Sequence, residues 1–175
     1  MVVREGNVPE HRPHSRTFTA MTEPRWLTDT EQQAWRAYLD STRLLLQALD
    51  RELVEDSALS LTDYELLVRL SEAPARRLRM RELADTALAT RSGVTRAVTR
   101  LEAAGWVQRS VCEDDRRGMN AELTDAGQAK LADAAPGHVA AVRTNMIDLL
   151  SARDLESVRS VGSRMRTHLQ AATDA

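Results

Sequence analysis

Apolar residues at helical spacing dominate the chain from residue 28 onward. Trp35, Tyr38, Leu39, Leu45, Leu46, Leu49 and Leu53 form one such series, and neither Gly nor Pro interrupts it before residue 57. Thr28 and Glu31 open it with the spacing of a capping box, in which each side chain satisfies an unpaired backbone N–H of the first turn. The pattern predicts a helix of about 40 Å, at a rise of 1.5 Å per residue. Leu44 and Ala48 widen its apolar stripe, so more than one side is expected to be buried and a partner chain is implied. Thr62 and Glu65 give a second capping box, with Leu61 and Leu66 as a hydrophobic staple. Leu67 and Leu70 continue that buried face until Pro74 stops it. A short third helix over about 79–87 turns Met80, Leu83, Ala84 and Ala87 inward.

After a turn at 88–90, Thr90 caps a fourth helix that runs to Ala104, and Gly105 sits where a left-handed C-terminal cap is wanted. Trp106 and Val107 open a strand that reaches Val111 through the polar Arg109. Residues 113–118 are a polar turn, and Met119, Ala121 and Leu123 return as the second strand of a hairpin. Thr124 caps a helix to about residue 135, where Pro136-Gly137 is expected to break or kink it before a further helical stretch to Leu150. Ser151 caps the last helix, whose Leu155, Val158, Val161, Met165 and Leu169 form a single stripe. Helix, short helix, turn, helix and two-stranded hairpin is the element order of a winged helix-turn-helix, a unit whose second helix lies in the DNA major groove.

Charge sharpens that picture. The 175 residues carry a net charge of −2, unevenly spread. Residues 28–75 hold ten acids and four bases, whereas 76–117 hold ten arginines and six acids, a net +4 in an otherwise acidic chain. Such a block is the footprint of a phosphate-binding surface; its bland counterpart is a solvated helix face. Advancing 100° per residue along 90–104 places Val94, Ala97, Val98 and Leu101 on one side. Ser92, Thr95, Arg96 and Thr99 fall opposite, with Arg100 flanking. Hydroxyls and guanidinium groups without a central carboxylate suit phosphate oxygens and guanine edges. At the hairpin tip, Asp115 and Arg117 stand one residue apart, so the carboxylate can orient the guanidinium for a narrow minor groove. A surface salt bridge is the plainer alternative.

These residues carry a resemblance. Leu83-Ala84, Arg91-Ser92-Gly93-Val94-Thr95-Arg96 and Arg100-Leu101-Glu102-Ala103-Ala104-Gly105 resemble the multiple antibiotic resistance regulator (MarR) family, as do Asp115-Arg116-Arg117-Gly118 and Leu123-Thr124-Asp125-Ala126-Gly127. The similarity covers about residues 28–170. It implies a mainly α fold: a winged helix-turn-helix between long N- and C-terminal dimerisation helices, with a two-stranded β wing. The corresponding segments are a disordered tail at 1–24, with Met21 as an alternative start, a dimerisation helix at 25–58, a DNA-binding lobe at 59–123 and dimerisation helices at 124–171. The resemblance further implies a homodimeric transcriptional repressor on a near-palindromic double-stranded operator. A phenolic or other organic anion binding between the lobes would release the DNA. Ser92, Thr95, Arg96 and Thr99 would face the major groove, and Arg117, held by Asp115, would enter the minor groove; Arg100 and Arg116 are expected among the DNA-binding residues as well. In the family's peroxide-sensing branch the reactive cysteine lies in the first helix; here the single cysteine, Cys112, is on the wing and reads as a small strand residue.

Other chemistry is thin. One cysteine excludes an internal disulfide and a thiolate-rich zinc cluster, and His11-x-x-His14, His138 and His168 lack a partner pattern. No glycine-rich phosphate loop or nucleophile motif occurs, so neither an enzyme nor a cofactor is expected. No secretory signal or membrane span is read, and a cytoplasmic location is expected. Trp35 and Tyr38 are packing residues or effector-pocket aromatics; Arg36 and Arg43 are solvated positions or effector contacts. The rival to the DNA reading is a dimeric protein-interaction module whose winged helix no longer binds DNA.

Overall fold

The computed structural model describes residues 24–87, 89–112 and 118–173. Residues 1–23 of the expected tail, Met21 included, and the hairpin tip 113–117 lie outside the described residues. The chain divides into two compact units between Ala37 and Tyr38, a boundary inside the first helix, α1 (Asp29–Ser57). In the first unit the Thr28–Glu31 capping box is formed. The Thr28 N–H donates to Glu31 Oε2 at 2.8 Å, and the Glu31 N–H donates to Thr28 Oγ1 at 3.3 Å. The bonds from Thr28 backbone and hydroxyl hold the Glu31 carboxyl below its ordinary pKa.

The second unit comprises the rest of α1, then α2 (Leu61–Glu72), β1 (Arg77–Arg79), α3 (Met80–Thr86), α4 (Arg91–Ala103), β2 (Val107–Val111), β3 (Met119–Leu123), α5 (Asp125–Asn145) and α6 (Ala152–Thr173). Its core is built from Leu59, Leu66, Leu67 and Leu70 around α2, Leu83 of α3, Val94, Ala97, Val98 and Leu101 of α4, and Val107 and Ala121 of the sheet. Leu131 and Ala134 of α5 close it. At about 0.8 kcal/mol per buried CH₂, this continuous apolar cluster is the main force holding the helices together.

Four expectations are corrected. The wing sheet has three strands rather than two, in the antiparallel order β1-β3-β2. β1 is only Arg77-Leu78-Arg79, too short to show alternation, and it follows a tight turn in which Ala75 and Arg76 adopt φ of 52° and 53°. The α2 capping box is Ser60–Asp63, not Thr62–Glu65. Ser60 has the extended backbone an N-cap needs, and its hydroxyl accepts from the Asp63 N–H at 3.1 Å. α5 runs through Pro136-Gly137 without a break and stops at Asn145, with a 3-10 turn at Ile147–Leu149. Leu131 and Ala134 before the proline and Ala141 after it are all buried, so packing on both sides offsets the lost hydrogen bond. The hairpin's alternation also fails at its far end, where Val111 and Met119 pair with each other and are exposed.

α1 and α2 meet at a sharp corner. Ala58 takes a left-handed φ of 52°, and Asp50 Oδ1 of α1 accepts from the Leu61 N–H at 2.8 Å. Of the α1 stripe in this unit, Leu49 and Leu53 are buried, whereas Tyr38, Leu39 and Leu44 are exposed. The α6 stripe of Val158, Val161, Met165 and Leu169 is exposed as well.

Candidate nucleic-acid interface

α4 is fixed at both ends and along one side. Thr90 caps it, its Oγ1 accepting from the Gly93 N–H at 3.2 Å. At the other end Gly105 turns the chain with φ of 76°, a backbone conformation available to glycine at no steric cost. Val94, Ala97, Val98 and Leu101 are buried, and Ser92, Thr95, Arg96, Thr99 and Arg100 are exposed. The helical spacing therefore sorts the two faces as expected from sequence.

The side chains on the exposed face differ in what they have left to offer. Thr95 Oγ1 donates to the Arg91 carbonyl and Thr99 Oγ1 to the Thr95 carbonyl, both at 3.0 Å. Arg91 pairs with Asp85 of α3 at 3.0 Å. Arg100 reaches back to Asp63 of α2, Nη2 to Oδ1 at 2.8 Å. That carboxylate is only 10% exposed and also caps α2, whereas the Arg100 side chain is 56% exposed. Among the described residues Arg96 has no hydrogen-bond or ion-pair partner.

Two contributors were not singled out from sequence. One is Asp63. The other is Arg109 of β2, whose Nη2 donates to Thr99 Oγ1 at 2.9 Å and whose Nη1 pairs with Glu102 at 3.1 Å. Arg109 thereby bolts the hairpin to the exposed side of α4. Its signal was present: it lies in phase with Val107 on β2, and an arginine in phase with a core-facing residue calls for a partner on the packed element. Asp63 had no comparable signal, because the competing Thr62–Glu65 spacing masked its capping role.

The opposite face of the sheet is polar. Glu122 accepts from Ser110 and from Gln108 and pairs with Arg77 at 3.6 Å, and these contacts hold its carboxyl below the ordinary range. The hairpin is closed at its outer end by the Cys112 N–H, which donates to the Gly118 carbonyl at 3.0 Å. Cys112 is buried, 3% exposed, and its thiol donates to Asn120 Oδ1 at 3.0 Å. Asp115, Arg116 and Arg117 lie outside the described residues. Among the described residues no three His, Cys, Asp or Glu side chains converge, and no helix is long and apolar enough to cross a membrane.

A short helix, a turn and a capped second helix, braced by an antiparallel sheet, define a winged helix-turn-helix protein. The MarR family model matches residues 59–119. Among solved structures, Sco3205, a MarR family transcriptional regulator from Streptomyces coelicolor crystallised in complex with DNA, is 48% identical. That match covers 85% of this chain and 91% of that one, with a TM-score of 0.76. AbsC, a MarR family transcriptional regulator from the same organism, is 42% identical over 85% of this chain and 99% of its own, with a TM-score of 0.77. The transcriptional repressor YetL of Bacillus subtilis is 33% identical over 88 residues, 49% of this chain and 53% of YetL. The chain belongs to the MarR family of transcriptional regulators.

Proposed function

We propose that the protein is a cytoplasmic, DNA-binding repressor that acts as a homodimer on a near-palindromic operator. One observation carries this reading: the outward face of α4 centres on Arg96, which has no partner among the described residues, beside Ser92 and Thr95, and holds no carboxylate at its middle. Sco3205 in complex with DNA supports the class of ligand, and the name of YetL supports repression. The exposed apolar stripe of α6 and the exposed Tyr38, Leu39 and Leu44 support a partner chain, since such patches on a lone subunit mark an association surface.

In this reading residues 25–58 and 124–171 supply the dimerisation helices, and 59–123 is the DNA-binding lobe. Each α4 enters a major groove, the two lying one duplex turn apart, about 34–36 Å. Arg96 reads a base edge, Ser92, Thr95 and Thr99 line the groove, and Arg100 and Arg116 flank the contacts. Arg117, oriented by Asp115, enters the adjacent minor groove. An organic anion, phenolic or otherwise, is the proposed effector; it shifts the dimer to a spacing that no longer fits two successive grooves. The relatives are regulators rather than enzymes, and no catalytic role is proposed.

Selection of bound duplexes from a random pool tests the proposal. A DNA-binding dimer enriches a near-palindrome whose affinity falls steeply with salt. Enrichment of no sequence would return the protein to a protein-interaction module. On the selected duplex, Arg117→Ala is expected to weaken binding and reduce the salt slope by about one unit per lost phosphate contact. Unchanged affinity would remove the wing from the mechanism.

A further inference from the structure

On the exposed face of α4 the hydroxyl hydrogens of Thr95 and Thr99 are both spent within the helix. A threonine hydroxyl has one hydrogen to donate. That of Thr95 goes to the Arg91 carbonyl at 3.0 Å, the i−4 back-bond that helical threonines form. That of Thr99 goes to the Thr95 carbonyl, and the same oxygen also accepts from Arg109 Nη2. With each hydrogen committed within the helix, these hydroxyls keep only acceptor lone pairs, and the methyl is the other group each side chain can turn outward. Thr95 and Thr99 are four residues apart, so their exposed sides stack one turn apart on the same face. Arg96, adjacent in sequence, supplies the cationic donors.

Resting on the DNA-binding reading above, we infer that Thr95 is a specificity-determining residue that recognises the 5-methyl group of thymine through its own methyl, and not a phosphate or guanine through its hydroxyl. A donor would be required for a phosphate oxygen or for guanine O6 and N7, and the Thr95 hydrogen is already committed within the helix. Thymine alone among the DNA bases presents a methyl group in the major groove. The half-site should therefore pair the base pair read by Arg96 with a neighbouring thymine.

The test uses the full-length protein and the duplex it selects from a random pool, with two variants that each remove one group. Thr95→Val keeps the methyl and removes the hydroxyl; Thr95→Ser keeps the hydroxyl and removes the methyl. Thr95→Val should bind within about twofold of wild type. Thr95→Ser should lose about fourfold per half-site, the value of one buried CH₂. Replacing the half-site thymine by deoxyuridine should cost the wild type a similar factor and cost Thr95→Ser much less, because the two changes remove the same contact. The reverse order, with Thr95→Val impaired and Thr95→Ser intact, would overturn the inference in favour of a contact made by the hydroxyl, whether donated or accepted. A Thr95→Ser loss of equal size on thymine and deoxyuridine duplexes would overturn it too, as would a selected half-site without thymine. If the wild type enriches no sequence, the DNA-binding reading itself fails, and thermal melting of both variants separates any loss from unfolding.

Discussion

At the scale of single residues, Arg100 shows how a charge can sit beside an interface and serve the scaffold. Its guanidinium is half exposed, yet its partner Asp63 is nearly buried and caps α2, so the pair ties the start of α2 to the end of α4. Arg100→Ala leaves that carboxylate without its cation. It is expected to lower the free energy of unfolding by about 1.5–3 kcal/mol, the range of hydrogen bonds to charged groups. Denaturant titration checks this, and unchanged stability would make Arg100 a solvent-facing residue after all. His138 of α5 carries a pH dependence. Its ring packs on Tyr64 of α2 with centroids 4.4 Å apart, and its buried Nδ1 has no partner among the described residues. Burial pushes its pKa below the ordinary histidine value and raises that of Tyr64. A histidine whose folded pKa is lowered binds its proton more readily when unfolded. Its contribution is therefore complete above the unfolded value, about 6.5, and declines as pH falls below it. Melting temperature should drop between pH 7 and 5 by more in the wild type than in His138→Phe, which keeps the ring contact without the titration. Parallel curves would remove His138 from the acid response.

At the scale of elements, the Leu123-Thr124-Asp125-Ala126-Gly127 segment acquires a physical reason. Thr124 donates its hydroxyl to the Gly105 carbonyl at 2.7 Å and its N–H to the Trp106 carbonyl at 3.1 Å, docking the first turn of α5 on the corner between α4 and β2. Lys130 of α5 lies 5.5 Å from the Trp106 ring centroid. A Cβ on Gly127 would stand 2.1 Å from the Trp106 carbonyl oxygen, which is backbone and has no room to yield. Gly127→Ala should thus destabilise by about 3 kcal/mol, at the upper end of overpacking costs; a melting temperature equal to wild type would refute this close approach.

The helices with strong local signals were legible in the sequence. Thr28, Thr90 and Thr124 caps, the buried α4 face and the left-handed Gly105 all depend on residues within one turn of each other, which spacing reveals. What escaped was decided at longer range. β1 exists because β3 pairs with it across more than forty residues, and Pro136 stays helical because the core holds both of its flanks. Asp63 and Arg109 reach partners on other elements, so their own segments do not name those partners, although the phase of Arg109 with Val107 called for one. The face of α4 could be drawn from a helical wheel, but the hydrogen-bond state of Thr95 and Thr99 could not, because a wheel gives direction and not rotamer.

At the scale of the whole molecule, the claim is that an isolated subunit is incomplete. Its exposed α6 stripe calls for a second copy, and two copies would present two α4 helices to one duplex. Arg96 is the residue on which the reading of that duplex turns. The decisive measurement is the equilibrium affinity of wild type and Arg96→Ala for the selected operator and for duplexes altered one base pair at a time. A base-reading Arg96 predicts a loss of about 1–3 kcal/mol on the operator, with discrimination relaxed at one position of each half-site and retained elsewhere. An Arg96→Ala protein that binds the operator as tightly as wild type, or weakens equally on every duplex, would contradict the account.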